Sequence, residues 1–291
     1  MRKLLILTMI GFVAQLIDGS LGMAYGATSA SFLLLFGVAP ALASASIHLA
    51  EIATTAVAGV SHWWFGNVDR KILVKLVIPG AVSAFLGAAF LSHIPGDRIK
   101  PFVSFFLLIM GVYIVWRFLF HVRPETPKEV KLSKAYLIPL GIVGGFFDAV
   151  GGGGWGPITT PMLLSKKGMS PRVVIGTVDT SEFVIAVSAS LGFLLFLGWE
   201  QFNIYWVAAL VIGGVIAAPI AAWIVRVIPS YLLGVLVGGF IVILNVGQVL
   251  KIFPVPSLGI WTIYSMLIVL WGFAIWWQLQ SSRKRKQSLE A

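Results

Sequence analysis

Two stretches of the sequence combine an acidic residue with closely spaced glycines inside otherwise apolar surroundings. The first is Asp18-Gly-Ser-Leu-Gly-Met-Ala-Tyr-Gly26, and the second is Asp148-Ala-Val-Gly-Gly-Gly-Gly-Trp-Gly156. Because glycine at this density does not sustain a helix, each stretch is predicted to join two half-helices of about 12–14 residues through unwound backbone. The second half-helix then begins near Ala27 or Pro157 and directs free N–H groups and its positive dipole end at the tip. Two such ends facing each other would form an anion site without a basic side chain.

The residues expected to bind the anion are tip glycines, nearby hydroxyls and two aromatic side chains with a polar atom. They are Gly22, Tyr25, Gly26, Thr28, Gly153, Gly154, Trp155, Gly156 and Thr159. The alternative is that the glycines only permit close packing of helices, as small residues do in membranes. Packing alone does not explain four consecutive glycines beside an acid, so the sequence favours the anion site.

Four further titratable residues recur at one spacing. His48 and Glu51 are three positions apart and share a helical face, and Asp179 and Glu182 repeat this spacing. An ionisable group at the centre of a bilayer costs at least about 2.5–3.5 kcal/mol, so it persists mainly where it faces a cavity or a partner. We expect these residues to carry protons or to line the site, with His48 neutralising Glu51 and Asp179 repelling Glu182. The alternatives are structural partners for hairpin amides and, for His48, simple packing.

Asp18 and Asp148 end the first half-helix of each stretch, where the helix dipole disfavours a carboxylate. Each should accept N–H bonds from its own loop or be protonated, and a role in ion coupling is the alternative. The pair could also imitate a two-aspartate intramembrane protease, but the Gly-x-Gly-Asp context is missing. No metal site or other cofactor is expected, because the chain has no Cys and no His pair spaced i, i+4. Motifs for ATP hydrolysis or a serine nucleophile are also absent, which argues against an enzyme.

The composition shows where these residues must lie. Of 291 residues, 58% are hydrophobic and 11% are charged, against about 25% charged in soluble domains. With a mean hydropathy of +0.96, the chain is predicted to be an all-α integral membrane protein. Its net charge of +10 fits loops beside a membrane better than nucleic-acid binding. Seven apolar runs approach the roughly 20 residues that a crossing needs, namely 43–65, 73–93, 101–120, 173–197, 203–227, 231–253 and 258–280.

The chain also contains a tandem repeat. At an offset of 130, Gly11, Asp18 and Gly26 fall on Gly141, Asp148 and Gly156, and at 131 Glu51 falls on Glu182. These matches predict two homologous halves and additional segments. The predicted units are a first transport repeat at 1–120, a linker at 121–134, a second repeat at 135–253, an added helix at 258–280 and a basic tail at 281–291.

Charge predicts how the glycine-broken segments 4–37 and 136–165 sit in the membrane. If each returns to the side that it entered from, 16 Lys and Arg lie on one side and five on the other, which satisfies the positive-inside rule. Each half then holds one re-entrant hairpin and three crossings, so the second half is inverted relative to the first. The N-terminus is predicted outside and the C-terminus in the cytoplasm, where the basic tail contacts lipid headgroups.

The second glycine stretch resembles the signature of a known family. Gly141-Ile-Val-Gly-Gly-Phe-Phe-Asp-Ala-Val-Gly-Gly-Gly-Gly-Trp-Gly-Pro-Ile-Thr-Thr-Pro161, followed by Gly168-Met-Ser-Pro171, is similar to the TauE/SafE family of sulfite exporters. The resemblance implies secondary transport of small sulfur-containing anions, such as sulfite or organosulfonates, across the bacterial inner membrane. The first half departs from the family pattern, since Met23 and Tyr25 stand where glycines often occur.

Together these observations predict a secondary active transporter with alternating access, acting as an exporter and coupled to the proton gradient. The alternatives are an anion channel and a carrier of small carboxylates. The expected partners are the anionic substrate and membrane lipids, and the sequence is also compatible with a homodimer.

Overall fold

The computed structural model describes residues 2–21, 23–120, 132–166, 169, 171–227, 230–251, 253 and 255–290. Within these ranges every regular element is a helix, which confirms the all-α prediction. The helices are α1 (Arg2–Leu21), α2 (Tyr25–Leu35), α3 (Pro40–Trp64), α4 (Arg70–His93), α5 (Gly96–Phe120), α6 (Lys134–Gly151), α7 (Trp155–Leu164), α8 (Pro171–Leu197), α9 (Ile204–Val227), α10 (Ser230–Leu250) and α11 (Ser257–Glu290), with a 3-10 turn at Trp199–Gln201.

Six of these helices are long and apolar enough to cross a membrane, so the chain is a multi-pass membrane protein. They are Pro40–Trp64, Arg70–His93, Gly96–Phe120, Lys134–Gly151, Val173–Leu197 and Ser257–Ser281. Shorter apolar stretches lie in α9 and α10, where the sequence predicted two further crossings. The predicted linker lies outside the described residues as far as position 131. Helix α11 continues to Glu290 because the predicted tail is rich in good helix formers such as Arg, Lys and Gln.

The first arm of each glycine-broken segment is longer than predicted. Helix α1 has 20 residues and α6 has 18, whereas α2 and α7 have 11 and 10. Gly141 and Gly145 remain inside α6 because the backbone of α4 packs directly on them, and a Cβ at Gly141 would lie 2.6 Å from the carbonyl oxygen of Leu76. The helix ends only at Gly152, whose φ of 72° favours glycine.

The second segment folds back on itself. The hydroxyl of Tyr136, near the start of α6, donates to the carbonyl oxygen of Met162, near the end of α7, at 2.7 Å. Halfway along, a Cβ at Gly144 would lie 3.0 Å from Cγ2 of Thr159. A helix that merely continued past its break would place these residues far apart, because each residue adds about 1.5 Å along the axis. Helices α6 and α7 therefore form an antiparallel hairpin.

Helices of the first part of the chain pack mainly against helices of the second part. Helix α1 packs against α9 and α6 against α4, while α3 contacts α8 and α5 contacts α10. Individual contacts repeat as well, since Gly11 abuts the carbonyl of Leu210 as Gly141 abuts that of Leu76. These reciprocal contacts agree with two related halves. The inversion of one half relative to the other across the membrane stays a prediction.

Candidate functional site

The tips of the two glycine-broken segments are in direct contact. A Cβ at Gly26 would overlap the carbonyl oxygen of Gly152, and a Cβ at Gly153 would overlap the backbone nitrogen of Ala27. Gly153 has a φ of 153°, which L side chains rarely adopt. Only glycine therefore lets the first turn of α2 approach the turn before α7 this closely. Gly22, which was also predicted to bind the anion, lies outside the described residues.

Asp148 organises the tip of the second hairpin. Its buried Oδ1 accepts the backbone N–H groups of Gly154 and Trp155, at 2.8 and 2.9 Å. Its backbone carbonyl accepts those of Gly152 and Gly153, at 2.8 and 3.1 Å. The sequence predicted that the backbone amides of Gly153 and Gly154 and the indole of Trp155 would bind an external anion. Asp148 accepts the backbone N–H groups of all three residues instead. The positive end of α7 is thus neutralised largely from within the hairpin.

Asp18 has the corresponding position in the first segment. Its Oδ1 accepts the backbone N–H of Tyr25 at 3.2 Å. Both aspartates therefore accept N–H bonds from their own loops, which was one of the two alternatives that the sequence left open. The first in-helix bond of α2 runs from Thr28 N–H to the carbonyl of Ala24, at 3.0 Å. By helix geometry, the N–H groups of Gly26 and Ala27 precede this ladder.

His48 is held between two oxygens. Its Nε2 lies 3.0 Å from Oδ2 of Asp148, and its Nδ1 lies 2.7 Å from the carbonyl oxygen of Ser44. Because a carbonyl can only accept, Nδ1 carries a hydrogen, and one further proton lies between Nε2 and Oδ2. The pair is therefore neutral overall, whichever group holds that proton. The imidazole hydrogen-bonds Asp148 rather than Glu51 because α3 packs beside α6, a relationship that spacing along one helix does not show.

Glu51 has no such partner. The residue is 1% exposed, and neither carboxyl oxygen has a hydrogen-bond partner among the described residues. Its Oε1 lies 3.0 Å from the position of a Cβ on Gly26, which places the carboxyl at the meeting point of the tips. The hydroxyls of Tyr25 and Thr28, on the first turn of α2, are likewise buried and unpartnered in the described part of the chain. Tyr25 also interacts electrostatically with Glu51. The first turn of α2 therefore carries two unpartnered hydroxyls together with N–H groups that precede its helical ladder.

The predicted site residues of α7 have internal partners instead. The indole N–H of Trp155 donates to Oγ of Ser181 at 2.9 Å, and the side chain is fully buried. The hydroxyl of Thr159 donates to the carbonyl of Trp155 at 2.6 Å. The bond of Trp155 therefore fixes α7 against α8, whereas that of Thr159 is internal to α7. Gly156 remains a source of an N–H group, because it precedes the first in-helix bond of α7, from Ile158 to Gly154.

Helix α8 carries the other two predicted acids. Oδ2 of Asp179 lies 3.2 Å from Nε2 of His62, near the end of α3. Glu182 is half-buried and interacts electrostatically with Glu51. No sequence pattern indicated His62 or Ser44. His62 contacts α8 across an interface between helices, and the hydroxyl of Ser44 donates to the carbonyl of Ala149 on α6. Among the described side chains, no group of three His, Asp or Glu residues is arranged to hold a metal ion.

Comparison with known proteins identifies the family. Residues 7–247 match the family model described as "Sulfite exporter TauE/SafE". The chain belongs to the TauE/SafE family. Among relatives, it is 56% identical over 276 residues to "Probable membrane transporter protein YtnM" of Bacillus subtilis strain 168, covering 94% of this chain and 92% of that protein. It is 26% identical over 195 residues to "Probable membrane transporter protein YdhB" of the same organism, covering 65% and 78%. No solved structure matches the chain.

These comparisons confirm the family that the glycine signature indicated. This TauE/SafE protein is a membrane transporter and not an enzyme.

Proposed function

We propose that this TauE/SafE protein is a secondary active transporter that exports small sulfur-containing oxyanions, such as sulfite or organosulfonates, by alternating access and in a manner coupled to the proton gradient. The observation that carries the proposal is the contact between the two hairpin tips, with buried unpartnered polar atoms beside it. Buried polar atoms normally have partners, so a cluster of them marks a place where a ligand supplies the missing bonds.

The first turn of α2 provides the chemistry for an oxyanion. The N–H groups of Gly26 and Ala27 stand at its positive end, and the hydroxyls of Tyr25 and Thr28 can donate to oxygen. The N–H of Gly156, at the start of α7, is a further donor in this proposal. A sulfite or sulfonate group presents three oxygens, which suits several converging donors. Because the donors are neutral, the site holds its anion weakly enough to release it on the far side.

The tips must part before an anion can reach these donors, because Gly153 covers the N–H of Ala27. Each hairpin belongs to a different part of the chain, so a movement of one part relative to the other opens the site. Inverted halves would open it to one side of the membrane at a time. We place the protein in the bacterial inner membrane, with the N-terminus outside and the C-terminus in the cytoplasm.

Proteoliposomes loaded with labelled sulfite test the proposal. We expect efflux that an imposed pH gradient can drive against the sulfite gradient, with Gly272→Ala as a folded control because nothing lies within 4 Å of a Cβ at Gly272. Flux that only ever follows the electrochemical gradient of sulfite would indicate a channel instead. A thermal-shift panel of sulfite, thiosulfate, taurine, sulfoacetate and simple carboxylates then identifies the class of anion. Stabilisation by carboxylates alone would contradict the proposed substrate.

A further inference from the structure

Glu51 lies where the two hairpin tips meet, and its carboxyl group is buried without a hydrogen-bond partner among the described residues. We propose that a proton binds to Glu51 together with the transported anion, so that one proton leaves the cell with each anion and the outward gradient of the anion drives export against the inward proton gradient. This inference rests on the proposed anion site at the first turn of α2, and it assigns the proton to one residue and gives the sign of the coupling.

Burial explains why Glu51 needs a proton in this arrangement. An ionised carboxylate in the interior is strongly disfavoured unless another group pairs with it. His48 is the nearby base that could do so, but both of its ring nitrogens are engaged, one by Asp148 and the other by the carbonyl of Ser44. The neutral His48–Asp148 pair therefore leaves Glu51 uncompensated.

The surrounding charges act in the same direction. Asp18 on α1, Asp148 on α6 and His48 on α3 all interact electrostatically with Glu51. Tyr25 on α2 and Glu182 on α8 do so as well, and Asp179 faces Glu182 and Asp18. The His48–Asp148 pair has no net charge, so none of these groups supplies a positive charge that would balance an ionised Glu51. An ionised Glu51 would itself repel any anion entering between the tips.

The position of the carboxyl group shows what the proton changes. Oε1 of Glu51 and the carbonyl oxygen of Gly152 both lie against the site of a Cβ on Gly26. Two acceptor oxygens thus converge beside the N–H groups that would hold the anion. A proton on Glu51 removes one negative charge and converts an acceptor into a donor, which can bond Gly152 or an oxyanion. Anion binding and proton binding therefore favour each other.

Binding of methanesulfonate as a function of pH tests the inference on the purified protein. This anion keeps its charge throughout the range, whereas sulfite itself takes up a proton near neutral pH. We expect the affinity to increase by up to tenfold for each unit of decreasing pH and then to reach a plateau, as linkage to one proton requires. Infrared difference spectra at alkaline pH should show a protonated carboxyl group appearing when methanesulfonate is added.

Three variants show whether Glu51 causes the pH dependence of methanesulfonate binding. Glu51→Gln should bind methanesulfonate with the plateau affinity at every pH and should lack the infrared signal. Glu51→Asp keeps a titratable group, so it should retain the pH dependence even where Glu51→Gln folds poorly. Glu200→Gln removes an exposed acid in the 3-10 turn and should behave as the wild type does.

Several outcomes would overturn the inference. They are a wild-type affinity that is independent of pH, an affinity that weakens as the pH falls, and a pH dependence that persists in Glu51→Gln. If neither methanesulfonate nor sulfite binds at any pH, the proposed substrate class is wrong. In that case an infrared pH titration without ligand still decides the role of Glu51. A protonated carboxyl signal at neutral pH that Glu51→Gln abolishes supports the proton site, and its absence from the wild type refutes it.

Discussion

Nε2 of His48 and Oδ2 of Asp148 lie 3.0 Å apart in the core, with side chains 0% and 1% exposed. The contact joins α3 to the last turn of α6 across 100 residues of sequence. Oδ1 of the same aspartate caps α7, so a single carboxylate ties the hairpin tip to the helix that also carries Glu51. The pair therefore determines where the tip stands relative to the proposed site.

Removing the carboxylate should strongly destabilise the protein. We expect Asp148→Ala to cost about 3–5 kcal/mol, because it leaves a buried imidazole and two N–H groups unpaired. Asp148→Asn should cost less, since its amide oxygen can still accept those N–H groups. Thermal unfolding in detergent measures both, with Glu200→Gln as the control. Equal stability of Asp148→Ala and the wild type would contradict the structural role assigned to the pair.

The contact between the tips predicts a specific effect of added volume. Gly153→Ala introduces a Cβ that overlaps Ala27 and forces an unfavourable φ, at a cost of order 1–3 kcal/mol. We expect it to hold the tips apart and to reduce anion flux more than it reduces folded yield. Gly272→Ala is the matched control, because it adds the same methyl group where nothing lies within 4 Å. Unchanged flux in Gly153→Ala would show that the contact does not matter for transport.

Trp155 distinguishes anchoring from anion binding. Its indole N–H bonds Ser181, so Trp155→Phe should lower stability by about 1–3 kcal/mol through an unpaired buried acceptor. We expect the affinity for the anion to change little once the protein is folded. Trp64→Phe, at a side chain that is 83% exposed, should alter neither property. Loss of affinity without loss of stability would show that the indole binds the anion.

The sequence predicted the two breaks and the family, because glycine runs and membrane acids are strong local signals. The roles of the residues at the tips stay predictions. It did not predict the length of α6, since Gly141 and Gly145 are tolerated there by close packing against α4. It also paired His48 with Glu51, three positions away, whereas the partner is Asp148. Spacing along one helix gives the face of a residue but not the helix that packs against that face. The same limit hid the contact of His62 with Asp179.

Membrane orientation gives a prediction that depends on the re-entrant hairpins. Helix α3 has 25 residues, about 37 Å in length, so its two flanking loops should lie on opposite sides of the membrane. We expect an impermeant thiol reagent to label Ala39→Cys from outside and Lys71→Cys only after permeabilisation. The chain has no Cys, so each variant reports one position. Labelling of Ala39→Cys only after permeabilisation would contradict the predicted hairpin topology, and labelling of both positions from the same side would show that α3 does not cross.

The last prediction concerns Glu182, the second carboxyl group that we expect to carry a proton. Glu182 on α8 is half-buried and interacts with the fully buried Glu51 on α3, and these two helices pack against each other. A more accessible acid beside a buried one is suited to pass a proton inward from water. Glu182→Gln should therefore retain anion binding and its pH dependence, because Glu51 is intact, but flux should no longer follow an imposed pH gradient. Proteoliposome uptake with and without that gradient measures the difference, with Glu200→Gln as the control. Gradient-driven flux that survives in Glu182→Gln would remove this residue from the coupling path and leave Glu51 to exchange its proton by another route.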